Sequence, residues 1–314
     1  MRIVAGLGER ALIGRGGTDT LSARNLGTAK AAASLGALAT RGQLAVTYGS
    51  DVQFLIPPDM VQAHAFAPLH QLEAESEGLV GFLLEQRLEE ALDRRPVVAM
   101  VTRVLIDPAD PALTLPSQPS GPVVDTETAR RLSASAKWLM IPCDDGYRRA
   151  VASPEPRGVV ESRAIALLIE QGFIVVCCGG GGIPVVRGPS GTHHGVDAVV
   201  EKDLTTAVLA RDLGADVLLL LTDAAGVWAD WGTENAKLVR AASPHALRSL
   251  PLERGSMGAK VEAACRFVHW TGHDAFIGPV EDPVNVMEGT SGTRISLDVA
   301  GLELEDGVIA TSPS

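Results

Sequence analysis

Aromatic side chains are scarce in this 314-residue chain, at 4% of positions, so a core drawn from its 46% hydrophobic content has to be aliphatic. Positive charge is in deficit too: 27 Lys and Arg against 38 Asp and Glu leave a formal net charge of −11. A general binder of nucleic acid or anionic membrane needs a basic surface, and this balance excludes that class. It does not exclude a small anionic substrate, which needs only a few local cations. Cysteine is limited to Cys143, Cys177, Cys178 and Cys265, with no C-x-x-C pair and no spacing suited to zinc. Cys177 and Cys178 would alternate faces of one strand, so buried free thiols and a reducing, cytoplasmic setting are expected. No apolar run reaches bilayer length, and the opening MRIVAGLGER lacks a signal peptide's apolar core. Also missing are the Walker motif G-x-x-x-x-G-K-[ST] and the protein-kinase motif set. Gly14-x-Gly16 does not complete G-x-G-x-x-G, because position 19 is Asp, which makes a dinucleotide dehydrogenase a weak reading.

What is present centres on residues 173–186, FIVVCCGGGGIPVV. The apolar run reads as a strand buried on both faces, and Gly179, Gly180, Gly181 and Gly182 follow at its C-terminal end. Ligands of open α/β sheets bind at that end, and glycines there let backbone N–H groups converge on an anion. Residues 2–5, 43–47, 97–102 and 216–221 read as further strands, the third of them buried. Helices are expected up to Ala39 (capped by Thr18 or Asp19), over 77–95, over 161–171, from Asp203 as cap to about Gly214, after Ser243-Pro244, and from Gly255 to Thr271. Short strands over 275–277 and 293–296 precede an acidic, polar tail. This β–α alternation predicts a parallel sheet. Residues 107–123 carry Pro108, Pro111, Pro116, Pro119 and Pro122, which argues against any strand or regular helix there and for a linker or an inserted lid. No internal repeat is present.

Two lysines stand at predicted helix starts, Lys202 and Lys260. With a glycine loop they form what phosphoryl transfer needs, since catalysis there is positioning and electrostatic stabilisation. At this point the chain resembles the carbamate kinases of the amino acid kinase family. The resemblance rests on VLIDPADP with PSGP (104–111, 119–122), GYRRAVASPEP (146–156), CGGGGIPVV (178–186), GVDAVVEKDL (195–204), ADVLLLLTDAAG (215–226) and GSMGAKVEAACRFV (255–268).

The resemblance implies a three-layer αβα sandwich on a mostly parallel eight-stranded sheet. One domain would span 1–314, with an acceptor-binding half at 1–200, a protruding subdomain at about 104–157, a nucleotide-binding half at 201–297 and a tail at 298–314. It implies ATP/ADP and Mg²⁺ as cofactors, carbamate or carbamoyl phosphate as the small-molecule partner, and a homodimer. Carried over by position, Lys202 and Lys260 contact the phosphates and Asp203 orders the lysines or the metal. Thr222, Asp223, Gly226, Val227, Met257 and Gly258 serve the nucleotide. Gly8, Arg10, Gly49, Ser50 and Gly179, Gly180, Gly181, Gly182 serve the acceptor. The departures lie in the acceptor loops. Gly8-Glu9-Arg10-Ala11 stands where the family has Gly-Gly-Asn-Ala, and Tyr48-Gly49-Ser50-Asp51-Val52-Gln53 where it has His-Gly-Asn-Gly-Pro-Gln. Glu9 and Asp51 bring carboxylates towards an anion, and a like charge at about 4 Å costs about 4 kcal/mol at an effective dielectric of about 20. Two readings follow: a working phosphotransferase for carbamate or a related acceptor, or an impaired homologue acting as a nucleotide-binding or assembly subunit.

Overall fold

The structure, a computed structural model, describes residues 1–13, 21–50, 60–92, 95–252 and 256–305. In chain order its first elements are β1 (Arg2–Leu7), α1 (Glu9–Ile13), α2 (Leu21–Ala39), β2 (Gln43–Tyr48), α3 (Val61–His64), α4 (Leu69–Ala91), β3 (Val97–Ala99) and β4 (Arg103–Ile106). Then come β5 (Gln118–Val124), α5 (Thr126–Ser135), β6 (Leu139–Cys143), β7 (Gly146–Val151), β8 (Pro156–Val159), α6 (Ser162–Glu170), β9 (Ile174–Cys177), β10 (Ile183–Arg187) and β11 (His193–Gly195). The rest are α7 (Lys202–Asp212), β12 (Val217–Thr222), β13 (Trp228–Ala229), β14 (Lys237–Ala242), α8 (Pro244–Arg248), α9 (Ser256–Thr271), β15 (Ala275–Pro279), α10 (Pro283–Met287), β16 (Thr293–Ile295) and β17 (Leu302–Leu304).

The main sheet runs β14-β16-β15-β12-β1-β2-β9-β3, and β13 and β17 both add to the β14 edge. Every neighbouring pair in that run is parallel except β15 with β16. Strands buried on both faces need an apolar residue at every position, which the aliphatic runs of β1, β9 and β12 supply. Alternate residues then serve two cores. Val4, Val175, Leu218 and Leu220 face α6, α7 and α9, while Ile3, Val46, Val176 and Leu219 face α1, α2, α4 and α10. The result is a three-layer αβα sandwich. A second sheet, β11-β10-β4-β8, leads to a third, β5-β7-β6, which with α5 forms a separate small core on α3 and the start of α4.

Several boundaries differ from the sequence expectation. The proline-rich stretch does contain a strand, β5. It lies at an edge, where only one side is hydrogen-bonded, and its register slips between Ser120 and Val124, so Pro119 and Pro122 are tolerated. Helix α4 starts at Leu69, not at Glu77, because the Asp197 carboxylate accepts the Leu69 N–H at 2.9 Å and caps it from far along the chain. Strand β3 ends at Ala99 and is partly exposed at the sheet edge, because Thr102 turns away to the Glu77 carboxyl. Strand β17 lies within the expected tail; its alternation of leucine and glutamate spans only three residues and all three are exposed. The proposed caps Thr18 and Asp19, the cluster Gly14 to Gly17, Asp51 to Gln53, Gly255 and the end of the tail lie outside the described residues.

Candidate active site

Strands β1, β2, β9 and β12 run parallel, so their C-terminal ends open on one rim of the sheet. A cleft of about 820 Å³ lies there. The first wall is built where β1 runs into α1. Gly8 N–H donates to the Leu221 carbonyl at 2.8 Å and Gly49 N–H to the Leu7 carbonyl at 3.0 Å, tying the three strand ends together. A Cβ on Gly49 would sit 2.7 Å from the Glu9 backbone, so only glycine permits this approach of β2 to α1. Gly8, Glu9, Arg10, Gly49 and Ser50 all line the cleft on this side.

The opposite wall comes from two helices. Helix α7 packs on β1 and β2, where Thr47 and Thr206 share a buried 2.6 Å hydrogen bond and Gly6 leaves room for the Thr206 methyl. This contact sets the N-terminus of α7 on the rim. Asp203 is not the cap expected from the sequence. Glu201 caps α7 by accepting the Asp203 N–H, and the Asp203 side chain is thereby free to turn inward. Its Oδ1 accepts from Lys202 Nζ and its Oδ2 from Lys260 Nζ at 3.1 Å. Asp203 and Lys260 are each 2% exposed. Burial pushes the Asp203 carboxyl up, but Lys202 and Lys260 pull harder together and hold it below the usual carboxylate range. Burial likewise draws the Lys202 ammonium down, with Asp203 opposing and Lys260 assisting. Glu201 is pushed up by burial and by the Asp203 charge. A carboxylate shared by two lysines leaves a net positive pair beside the α7 N-terminus, which favours phosphate oxygens.

The four glycines are divided in their tasks. Gly180 lines the cleft, whereas Gly179, Gly181 and Gly182 lie behind it against Tyr48, the Val200 carbonyl and Val104. Of the residues expected to serve the nucleotide, Thr222 and Gly258 line the cleft. Asp223 adjoins it, its Oδ1 accepting from Thr222 Oγ1 at 3.2 Å. Val227 is buried with its N–H on Thr293 Oγ1 at 2.8 Å, Gly226 packs against the same threonine, and Met257 packs on the core. Sequence reading missed Glu73, Glu201, Gln118, Pro119 and Ser120, all of which line the cleft. The last three come from β5, so the third sheet contributes to the cleft lining. The acidic positions carried a usable signal: Glu73, Ser76 and Glu77 fall on the same buried face of α4 as Leu72, Val80 and Leu84, where carboxylates are out of place.

Among the described residues no group of three His, Cys, Asp or Glu side chains is placed to cage a metal ion. A magnesium ion carried on nucleotide phosphates needs only one or two carboxylates; Glu201 on the cleft wall fits that requirement, whereas both oxygens of Asp203 are taken by lysines.

An αβα sandwich whose strand ends meet the paired Lys202 and Lys260 fits a kinase-type phosphotransferase, and the comparisons establish that class and narrow it. Residues 123–278 match the amino acid kinase family. The carbamate kinase of Haemophilus influenzae is 36% identical over 306 residues, covering 96% of this chain and 99% of that one. That of Rhizobium meliloti is 39% identical over 302 residues, covering 94% and 93%. The carbamate kinase of Giardia lamblia bound to AMP-PNP superposes with a TM-score of 0.85 at 30% identity, covering 94% of this chain and 98% of that one. The chain belongs to the carbamate kinases of the amino acid kinase family.

Proposed function

We propose that the protein transfers a phosphoryl group reversibly between ATP and carbamate, ATP + carbamate = ADP + carbamoyl phosphate. The observation that carries this reading is the convergence of Lys202, Lys260 and Asp203 on a cleft whose far wall is Gly8, Gly49 and Gly180. Lys202 and Lys260 hold the transferred phosphoryl group, where their charge opposes the negative charge spread over its equatorial oxygens. Asp203 fixes both ammonium groups and takes no part in bond making. Thr222, Asp223, Gly226, Val227, Met257 and Gly258 form the nucleotide side, and Gly8, Arg10, Gly49, Ser50 and Gly180 the carbamate side, with Gly179, Gly181 and Gly182 shaping the loop behind. Glu201, with Asp203 ordering the lysines beside it, would hold a nucleotide-borne Mg²⁺, which would neutralise charge on the phosphates. Residues 1–200 and 201–297 act as the acceptor and nucleotide halves, and residues 104–157 cover the cleft. The reading as an impaired subunit is not favoured, because the relatives match over nearly the whole chain and both lysines stand in the cleft. The free thiols of Cys143, Cys177, Cys178 and Cys265 support a reducing, cytoplasmic setting; no helix among the described residues is long and apolar enough to cross a membrane.

A homodimer is part of the same reading. Exposed Leu79 and Phe82 on α4 and Val101 beside the open β3 edge form an apolar strip suited to a second copy. Sedimentation velocity should give a dimer for the parent protein and a monomer for Phe82→Glu; a monomeric parent removes the dimer. The activity itself is tested by coupling ATP formation from ADP and carbamoyl phosphate to a reporter reaction. Formation well above background is expected, and none above background overturns the assignment.

A further inference from the structure

The cleft residues do not explain why α4 buries a carboxylate that never reaches the cleft. Glu77 is 1% exposed and lies behind Gly180. Its Oε1 accepts from Thr102 Oγ1 at 2.6 Å and from Gly179 N–H at 3.0 Å, and its Oε2 accepts from Thr102 N–H at 3.1 Å. Its backbone carbonyl accepts from the Tyr48 hydroxyl at 2.7 Å. Thr102 Oγ1 in turn accepts the Cys178 N–H at 2.7 Å. Cys178 is held in the left-handed region (φ 52°, ψ 42°), which an L side chain adopts only under restraint, and Gly180 and Gly181 follow at φ 64° and 104°. The side chain thus fixes the end of β9 and the turn after β3, and the backbone carbonyl of the same residue holds the end of β2; these three segments back the acceptor wall. One residue earlier, Ser76 on the same helix bonds Ser50 of the cleft lining.

We propose that Glu77 is the positioning residue of the acceptor wall, presenting Gly180 to the carbamate side of the cleft by holding Thr102 and Gly179 in place. This rests on the carbamate kinase reading for its kinetic consequence but not for its structural one. The ionised carboxylate satisfies all three donors. A neutral carboxyl would have to donate one bond, most directly to Thr102 Oγ1, which would leave the threonine hydrogen without its acceptor. The groups that face this carboxyl are Tyr48 from β2, Cys177 and Cys178 from β9 and its end, and Glu161 at the start of α6. Burial, opposed by the three hydrogen bonds, pushes Glu77 up to about 8.

Three variants test the proposal on the full-length protein. Glu77→Ala removes both acceptor oxygens and all three hydrogen bonds, Glu77→Gln keeps an oxygen for two of the donors, and Lys260→Ala serves as the phosphate-side control. In the direction of ATP formation, Glu77→Ala should raise KM for carbamoyl phosphate at least tenfold and leave KM for ADP within twofold. Glu77→Gln should recover most of that loss, and it should lack the transition near pH 8 expected of the parent in kcat/KM for carbamoyl phosphate. Amide hydrogen exchange, which needs no activity, should accelerate at least tenfold at Thr102 and Gly179 in Glu77→Ala with α7 and α9 unchanged. Equal movement of the two KM values, a Gln variant as impaired as the Ala variant, or unchanged exchange at Gly179 each overturns the proposal. Should Glu77→Ala not fold, the pH profile and exchange of Glu77→Gln decide it. A parent that forms no ATP from carbamoyl phosphate overturns the assigned reaction instead, and the exchange comparison still judges the role of Glu77.

Discussion

At the scale of single residues, the decisive group is Asp203, because it makes the buried Lys260 and the partly buried Lys202 compatible with each other. Without its charge, Lys202 and Lys260 would face one another in a low-dielectric site, and removing one member of a buried ionic set costs about 3–5 kcal/mol. Asp203→Asn should therefore destabilise the protein by that amount in urea melts at pH 7. The same group governs the acid limb. Its carboxyl is held below the usual carboxylate range in the folded protein. Its contribution is present above the unfolded value and is lost as pH falls through the folded one. The stability of Asp203→Asn should consequently fall less steeply than that of the parent below about pH 4; parallel acid limbs would show that Asp203 is not the responsible group. The lysines make a kinetic prediction instead. Lys202→Ala and Lys260→Ala should each lower kcat by at least about 10²–10³-fold, the usual result of removing one preorganised stabiliser of transition-state charge. Near-parental kcat in either would remove that lysine from the chemistry.

At the scale of the element, α4 carries the clearest energetic statement. A carboxyl whose folded pKa is raised stabilises most below its unfolded value of 4.5, and that stability is lost as pH rises through about 8. The full swing is on the order of 5 kcal/mol, at about 1.4 kcal/mol for each tenfold change in proton affinity. Chemical denaturation of Glu77→Gln between pH 5 and pH 9 should lack this decline, and a decline equal to that of the parent would exclude Glu77 as its source. Stability and acceptor-wall geometry thus make opposite demands on one proton. The same helix shows what the sequence could and could not reveal. Strands such as β9 and β12 were legible because their burial is written in contiguous aliphatic residues, and the lysines because each stands at a helix start. The beginning of α4 was not legible, since its cap is Asp197, far away in sequence. Strand β5 was hidden by prolines that only an edge position tolerates, whereas Glu77 was legible in principle, as a carboxylate at the spacing of the buried leucines of α4. Asp203 was found by resemblance while its local role was misread, because Glu201 takes the capping position.

At the scale of the whole molecule, the protruding sheet must be held over a cleft whose floor belongs to the main sandwich. The chain enters and leaves this unit close to Asp110 and Glu155, and Asp110 Oδ2 accepts the Glu155 N–H at 2.9 Å, closing its base. The Glu155 carboxylate then pairs with both terminal nitrogens of Arg266 on α9, at 2.5 and 3.2 Å, while Arg266 Nε holds Glu262 at 2.7 Å. Because α9 also carries Lys260, the base of the protruding unit and one phosphate-side lysine are joined through a single arginine. Both partners are partly exposed, so the pair contributes no more than about 1 kcal/mol to stability. Its consequence should appear in kinetics, as for residues at the base of moving lids, where kcat and KM change together. Glu155→Gln and Arg266→Met should therefore melt within a few degrees of the parent. Both should be cut faster by protease within residues 118–151, and both should lose activity by about three- to tenfold. In a double-mutant cycle the two losses should be strongly non-additive, since either change breaks the same pair. Additive losses, or unaltered proteolysis, would mean that the protruding unit is held by its apolar seat on α3 and α4 alone. With non-additive losses, the ion pair is what transmits the position of the β5 residues Gln118 and Ser120 to the lysine they face across the cleft.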